Sequence, residues 1–289
     1  MSEQITHIAV ADDARLLALN SPRIGGAVRE ALLNHQDKCR LGAVTRASEE
    51  FAGPVVEQLR ARADEPRPRD AEKLAFCLGT MAHRSADRMY KPIFRSQSAD
   101  GSCDRKDISI YHDVFVFRRI YAAGDKEPYR PDALSPTVEL PEGAPVDAAE
   151  LEGLFGVLFQ RALLAAHTFK PDLTDPQGWL EKLFDRIQEF TIDIGRYHKA
   201  LTEPDEDIYR RAITDVNFFD ESDSILALLD ELREGGEVTG EEFLRRCRLG
   251  DKDSLYARAV SGAYGYFQVT SEFWSGRCSA ELFADAIRR

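Results

Sequence analysis

The chain has 289 residues, of which 43% are hydrophobic, so it is long enough to bury a substantial core. Its 50 acidic and 38 basic side chains give a formal net charge of −12, which repels nucleic-acid phosphates and anionic membrane surfaces. We therefore expect a folded protein that does not bind nucleic acid.

Residues 1–20 predict an amphipathic helix rather than a signal peptide, because Asp12, Asp13 and Arg15 interrupt the apolar residues and no basic segment precedes them. No apolar run approaches the roughly 20 residues that span a bilayer. The five cysteines lack CxxC spacing, which argues against a structural zinc knot and indicates reduced packing residues. We expect a cytoplasmic protein without a membrane anchor.

Apolar residues recur with helical spacing along most of the chain. Ser21 and Asp175 each precede a proline, and Thr239 precedes a glutamate by three residues, which are patterns typical of helix starts. The range 107–122 has the composition of a strand, but its length and its i, i+3, i+4 apolar spacing favour a helix. The patterns predict helices near 5–19, 21–35, 45–63, 70–90, 107–122, 147–168, 176–200, 205–215, 222–234, 239–247, 252–275 and 278–288.

Two segments interrupt the helical pattern. The first is a short charged linker with prolines at 64–70. The second, at 124–146, is long, aperiodic and rich in proline, and is either a functional lid or a subdomain boundary. We expect an all-α multi-helix bundle. Residues 1–123 form its core and carry the functional pocket, 124–146 connect, and 147–289 add a helical portion that packs on the same domain.

His83 and Asp87 are four residues apart in the predicted helix at 70–90, so they share one face with Cβ atoms about 5–6 Å apart. Gly79 precedes His83 by one turn and removes a side chain where another backbone or a ligand can approach. Two interpretations of the pair remain open. Imidazole and carboxylate are metal ligands, but pairs at this spacing also stabilise helices as buried polar contacts.

Four segments in residues 5–120 share an order with a known family: "THIAVADDARLLA", "NHQDKCRLGAVTRASEEF", "LAFCLGTMAHRSADRMYKPIF" and "ISIYHDVFVF". Together they resemble the zinc-dependent phospholipase C family, in which metal ligands project from several helices. The resemblance implies a bundle of the phospholipase C and single-strand nuclease type, extended here by C-terminal helices. It implies a zinc site formed by His7, His83, Asp87 and His112.

The chain departs from the family pattern at three places. Arg46 stands where the family has an aspartate, Lys91 where it has a histidine, and Val116 where a glutamate often follows the last histidine. The lost donors reduce the metal cluster, while Lys91 and Arg46 add charges that bind anions such as phosphate.

The resemblance therefore implies a metal-dependent phosphoesterase with a reduced zinc site and a small phosphate ester as substrate. The alternative is a catalytically inactive helical binding or structural protein that keeps the fold but not the metal cluster.

Overall fold

The computed structural model describes residues 4–45, 49–97, 104–122, 172–250 and 252–288. Every regular element among these residues is helical, which confirms the all-α prediction. None of these helices is both long and apolar enough to cross a membrane. The helices are α1 (Gln4–Asn20), α2 (Gly26–Asn34), α3 (Gln36–Ala43), α4 (Glu49–Ala61), α5 (Asp70–Gln97), α6 (Arg105–Val116), α7 (Pro176–Thr202), α8 (Glu206–Tyr209), α9 (Ser224–Arg233), α10 (Gly240–Arg246), α11 (Leu255–Trp274) and α12 (Ala280–Arg288).

The chain divides into two compact units. Unit 1 contains the described residues up to Ile5 and those from Gln97 to Ala212, and unit 2 contains those from Thr6 to Ser96 and from Ile213 onward. Unit 2 therefore joins two segments that are distant in sequence. The predicted boundaries at 123 and 147, and the predicted helix at 147–168, fall in a range outside the described residues.

Unit 2 is built around helices that are buried on more than one side. Helix α11 is buried at intervals along its whole length, from Tyr256 to Phe273, and it packs on α2, α9 and α12. Helix α1 is buried at every position between Thr6 and Ala11. A helix without a solvent-facing side belongs in a core, so this part of α1 holds any polar side chain it carries in dry surroundings.

Helices α3 and α5 touch through their backbones. A Cβ atom on Gly79 would lie 1.9 Å from the carbonyl oxygen of Cys39, and one on Gly42 would lie 2.1 Å from the carbonyl oxygen of Phe76. No side chain fits at either position. Another backbone or a ligand was expected opposite Gly79, and the structure shows a backbone, that of α3. The contact places Ala43, the last residue of α3, beside the turn of α5 that carries His83.

Unit 1 contains α6, α7 and α8, and α6 packs along α7. The buried carboxylate of Asp113 accepts hydrogen bonds from the Tyr197 hydroxyl (2.6 Å) and from the backbone N–H of Gln4 (2.9 Å). Helix α6 continues as a π-helical turn over Phe117–Ala122, and α8 continues likewise over Arg210–Thr214. The helix predicted at 107–122 is confirmed.

Helix starts were predicted with mixed success. The side chains of Asp175 and Thr239 accept the backbone N–H three residues on, which confirms both caps. The start predicted at Ser21 is wrong, because α2 begins at Gly26. The Ser21 hydroxyl instead bonds to the Tyr264 hydroxyl (2.7 Å), and the chain turns through Gly26, whose φ of +54° favours glycine.

Two further differences concern helix length. Helix α3 was not predicted, because an eight-residue helix with a mainly polar sequence is formed by its packing on α5 rather than by its periodicity. Helix α5 continues beyond the predicted end at residue 90, through Pro92 to Gln97. Pro92 cannot donate to the carbonyl of Arg88, but Phe94 in the next turn is buried, which offsets the lost hydrogen bond.

Replacing Gly79 by alanine should lower the free energy of unfolding by at least about 2 kcal/mol, because the new methyl group must displace the α3 backbone. Gly265→Ala in α11 is the matched control, since a Cβ there meets nothing within 4 Å. It should stabilise the protein by up to about 1 kcal/mol through helix propensity. Urea denaturation measures both, and equal effects of the two substitutions would contradict the backbone contact.

Candidate metal centre

Two helices of unit 2 carry the candidate site. His7 lies near the start of α1, and His83 and Asp87 lie on successive turns of α5. The side chains of His7 and His83 are 3% and 9% exposed, whereas that of Asp87 is 19% exposed. The two rings are therefore buried, and the carboxylate lies on the solvent side of the cluster.

The three side chains converge. Nε2 of His7 lies 3.5 Å from Oδ1 of Asp87, and Nε2 of His83 lies 3.3 Å from Oδ2. The two imidazole rings stack with centroids 4.3 Å apart and planes inclined by 27°. One ligand atom from each residue lies within 4.8 Å of the other two, so His7, His83 and Asp87 form a group that could hold a metal ion.

The hydrogen bond from Nδ1 of His83 determines which of its ring nitrogens faces the carboxylate of Asp87. Nδ1 lies 2.8 Å from the backbone carbonyl oxygen of Ala43. A carbonyl can only accept, so Nδ1 carries a proton, and Nε2 is the ring nitrogen that faces Asp87. A ring nitrogen 3.3 Å from a carboxylate oxygen requires a cation between the two atoms, which is either a proton on Nε2 or a metal ion. The same backbone contact orients histidine ligands in many metal sites.

Two separations between the donors lie in the range expected around a small divalent ion. Nitrogen and oxygen ligands lie about 2.0–2.2 Å from zinc, so two ligands of a tetrahedral ion lie about 3.2–3.6 Å apart. Each imidazole lies at such a distance from one carboxylate oxygen, His7 at 3.5 Å from Oδ1 and His83 at 3.3 Å from Oδ2. Two histidines and one carboxylate are also a common ligand set of catalytic zinc, which keeps a further position for water.

Lys91 contacts the cluster from the solvent side. Its ammonium group forms an ion pair with Oδ2 of Asp87 one turn earlier, and its side chain is 50% exposed. Burial raises the pKa of the Asp87 carboxyl, but hydrogen bonds from His7, His83 and Lys91 outweigh it and hold that pKa well below its usual range. Asp87 is therefore ionised throughout the physiological range and presents a permanent negative charge to the two rings.

The remaining predicted site residues are His112 and Arg46. His112 belongs to unit 1, where it is fully buried and its Nε2 bonds to the carbonyl oxygen of Ala212 (2.8 Å). The group of three converging donors does not include it, so its role as a further ligand stays a prediction. Arg46, predicted to bind phosphate, lies outside the described residues.

The sequence did not indicate the carbonyl of Ala43, which fixes the tautomer of His83. A backbone acceptor has no side-chain signature, and α3, to which it belongs, was not predicted. The nearest signal was Gly79, one turn before His83, since a glycine at that point indicates close approach by another chain segment. Apart from the order of the two histidines along the chain, nothing in the sequence predicted that the ring of His7 stacks on that of His83.

Comparisons of the chain with protein-family models, with curated proteins and with solved structures found no match. The likeness to zinc-dependent phospholipase C stays a prediction, and any function for this protein rests on the geometry of its own residues.

His112 makes the stability of the protein depend on pH. Burial lowers its pKa to about 3, which the hydrogen bond to Ala212 only partly opposes. An unfolded histidine binds its proton near pH 6.5, so between these values the unfolded state holds more protons and stability falls as the pH falls. From pH 7 to pH 5 this residue should remove about 2 kcal/mol from the free energy of unfolding.

The variant His112→Gln isolates that contribution, because the glutamine amide can still donate to the Ala212 carbonyl but does not titrate. Urea denaturation at pH 7 and pH 5 should show a smaller loss of stability in the variant than in the parent protein. An identical pH dependence in both would show that His112 is not buried in its neutral form.

Proposed function

We propose that this protein is a zinc-dependent phosphoesterase with a single-metal site formed by His7, His83 and Asp87. The observation that carries the proposal is the position of Nε2 of His83, which faces the Asp87 carboxylate while Nδ1 donates to the carbonyl of Ala43. A divalent cation satisfies both imidazoles and the carboxylate at once. The order of the helices that resemble zinc-dependent phospholipase C supports the same reading.

The residues around the site have separate roles in this proposal. Bound zinc supplies an activated water and offsets the negative charge of a phosphate ester. His7 and His83 would bind the ion through their buried rings, and Asp87 would bind it through its more exposed carboxylate. Lys91, half-exposed beside Asp87, binds a phosphate oxygen through its ammonium group, and Arg46 is proposed to share that task.

A second candidate is a helical binding or structural protein without catalysis. The ion pair between Lys91 and Asp87 favours it, because the carboxylate already has a cationic partner. With protons on the imidazoles, Asp87 accepts from both rings and from Lys91, and the cluster then joins α1 to α5 as a polar contact in the core. Metal content and turnover distinguish the two candidates.

The zinc content of purified protein tests the site directly. We expect about one zinc ion per chain in the parent protein and less than about one tenth of a zinc ion per chain in His83→Asn. Plasma mass spectrometry measures both values. Asparagine retains a donor for the Ala43 carbonyl but cannot place a ligand where Nε2 lies, so the variant should fold. His198→Ala removes a histidine outside the cluster and should leave the zinc content unchanged.

Less than one tenth of a zinc ion per chain in the parent protein after zinc addition and dialysis would exclude the metal site. Retention of zinc by His83→Asn would place the ion on other residues. The first result would favour the second candidate, and the second result would exclude the three-residue site.

The role of Lys91 is tested by hydrolysis of bis(4-nitrophenyl) phosphate by zinc-loaded protein. Lys91→Met should raise KM by about tenfold with little change in kcat, because it removes a charge-assisted contact to the phosphate. Lys73→Met on the same helix is the control, since that lysine is 49% exposed and pairs with Asp70 in a similar way. No turnover by zinc-loaded parent protein would favour the inactive candidate, and equal KM values in both variants would remove Lys91 from the site.

A further inference from the structure

Lys91 forms its ion pair with the same oxygen of Asp87 that faces His83. Oδ2 of Asp87 accepts a hydrogen bond from the Lys91 ammonium group and lies 3.3 Å from Nε2 of His83. Oδ1, the other oxygen, lies 3.5 Å from Nε2 of His7. A metal ion held jointly by His83 and Oδ2 would therefore share that oxygen with the ammonium group.

Two cations on one carboxylate oxygen repel each other. A hydrogen bond from nitrogen to oxygen is about 2.9 Å long and a zinc–oxygen bond about 2.0–2.2 Å, so the two cations would lie at most about 5 Å apart. This separation is shorter than the screening length of about 8 Å at physiological ionic strength. Metal binding at Asp87 should therefore be stronger when the ammonium group leaves Oδ2.

The position of Lys91 allows its ammonium group to leave. The side chain is 50% exposed, and a flexible stem of four carbons carries the charge. Ion pairs between exposed side chains one helical turn apart are weak, so an anion from solution can replace the carboxylate as the partner of the ammonium group. A doubly charged phosphate monoanhydride or ester is a stronger partner than a single carboxylate in this respect.

We propose that Lys91 couples the binding of small phosphate anions to the binding of metal at this site, so that each strengthens the other. This inference rests on the proposed metal site of His7, His83 and Asp87. An anion that draws the ammonium group away from Oδ2 removes the competing cation and raises the affinity for metal. By thermodynamic reciprocity, bound metal raises the affinity for the anion by the same factor. Metal loading then depends on the concentration of phosphate anions in solution, which hydrolysis alone does not require.

Arg95 provides a matched control for the charge of Lys91. It is exposed and lies one turn further along α5. At a rise of about 1.5 Å per residue, Arg95 is about 12 Å from Asp87 along the helix axis, which exceeds the screening length of about 8 Å. Arg95→Met therefore removes one positive charge from the same helix without removing the cation on Oδ2.

A spectroscopic titration with Co²⁺ tests the coupling, because this ion can replace zinc and absorbs visible light when four ligands bind it. The Kd for free Co²⁺ is measured at constant ionic strength with and without about 5 mM methylphosphonate, which is not hydrolysed. In the parent protein the anion should lower this Kd at least about fivefold. Lys91→Met should bind Co²⁺ at least about fivefold more tightly than the parent without the anion, and the anion should change its Kd less than about twofold.

Lys91→Arg, which keeps the charge, and Arg95→Met should both retain the anion effect of the parent protein. Circular dichroism verifies that each variant folds. No binding of Co²⁺ by the parent protein or by Lys91→Met would overturn the proposed metal site and this inference with it. An equal Kd for Co²⁺ in the parent and Lys91→Met, or an equal effect of methylphosphonate on both, would overturn the coupling and leave the metal site in place.

Discussion

The backbone contact between α3 and α5 is the constraint on which the candidate metal centre depends. Gly42 and Gly79 allow the two helices to approach so closely that a methyl group on either glycine would clash with the backbone of the other helix. The C-terminal carbonyls of a helix have no partner within it, and this approach delivers the Ala43 carbonyl to Nδ1 of His83. Gly42 and Gly79 thereby determine that Nε2 of His83, and not Nδ1, faces the carboxylate of Asp87.

Electrostatics then determines what the cluster can bind. The carboxylate of Asp87 is held ionised between two imidazoles and an ammonium group, and the rings are almost fully buried. Protonating both stacked rings would place two positive charges about 4 Å apart, where low solvent exposure weakens screening. One divalent ion would supply the same charge at a single point, with all three residues as its ligands.

Much of the fold was predictable because local patterns specify local structure. The caps at Asp175 and Thr239 and the periodicity of 107–122 were sufficient for their helices. The pair His83 and Asp87 was predictable for the same reason. The pairing of residues 6–96 with 213–289 in one unit was not, because it depends on contacts between distant segments that no local pattern encodes. The helix start predicted at Ser21 is wrong for the same reason, because the Ser21 hydroxyl forms a hydrogen bond with the hydroxyl of Tyr264, a residue distant in sequence.

Lys91 is relevant to both candidate functions, because its ammonium group competes with a metal ion for Asp87. Its ammonium group and a metal ion both bind the carboxylate of Asp87, so each weakens the other. When no metal is bound, the lysine stabilises the ionised carboxylate. When a metal takes the carboxylate, the ammonium group remains beside it at the solvent edge, where it can attract an anion. The ammonium group that competes with a metal ion for Asp87 is thus the same group that we propose binds the phosphate.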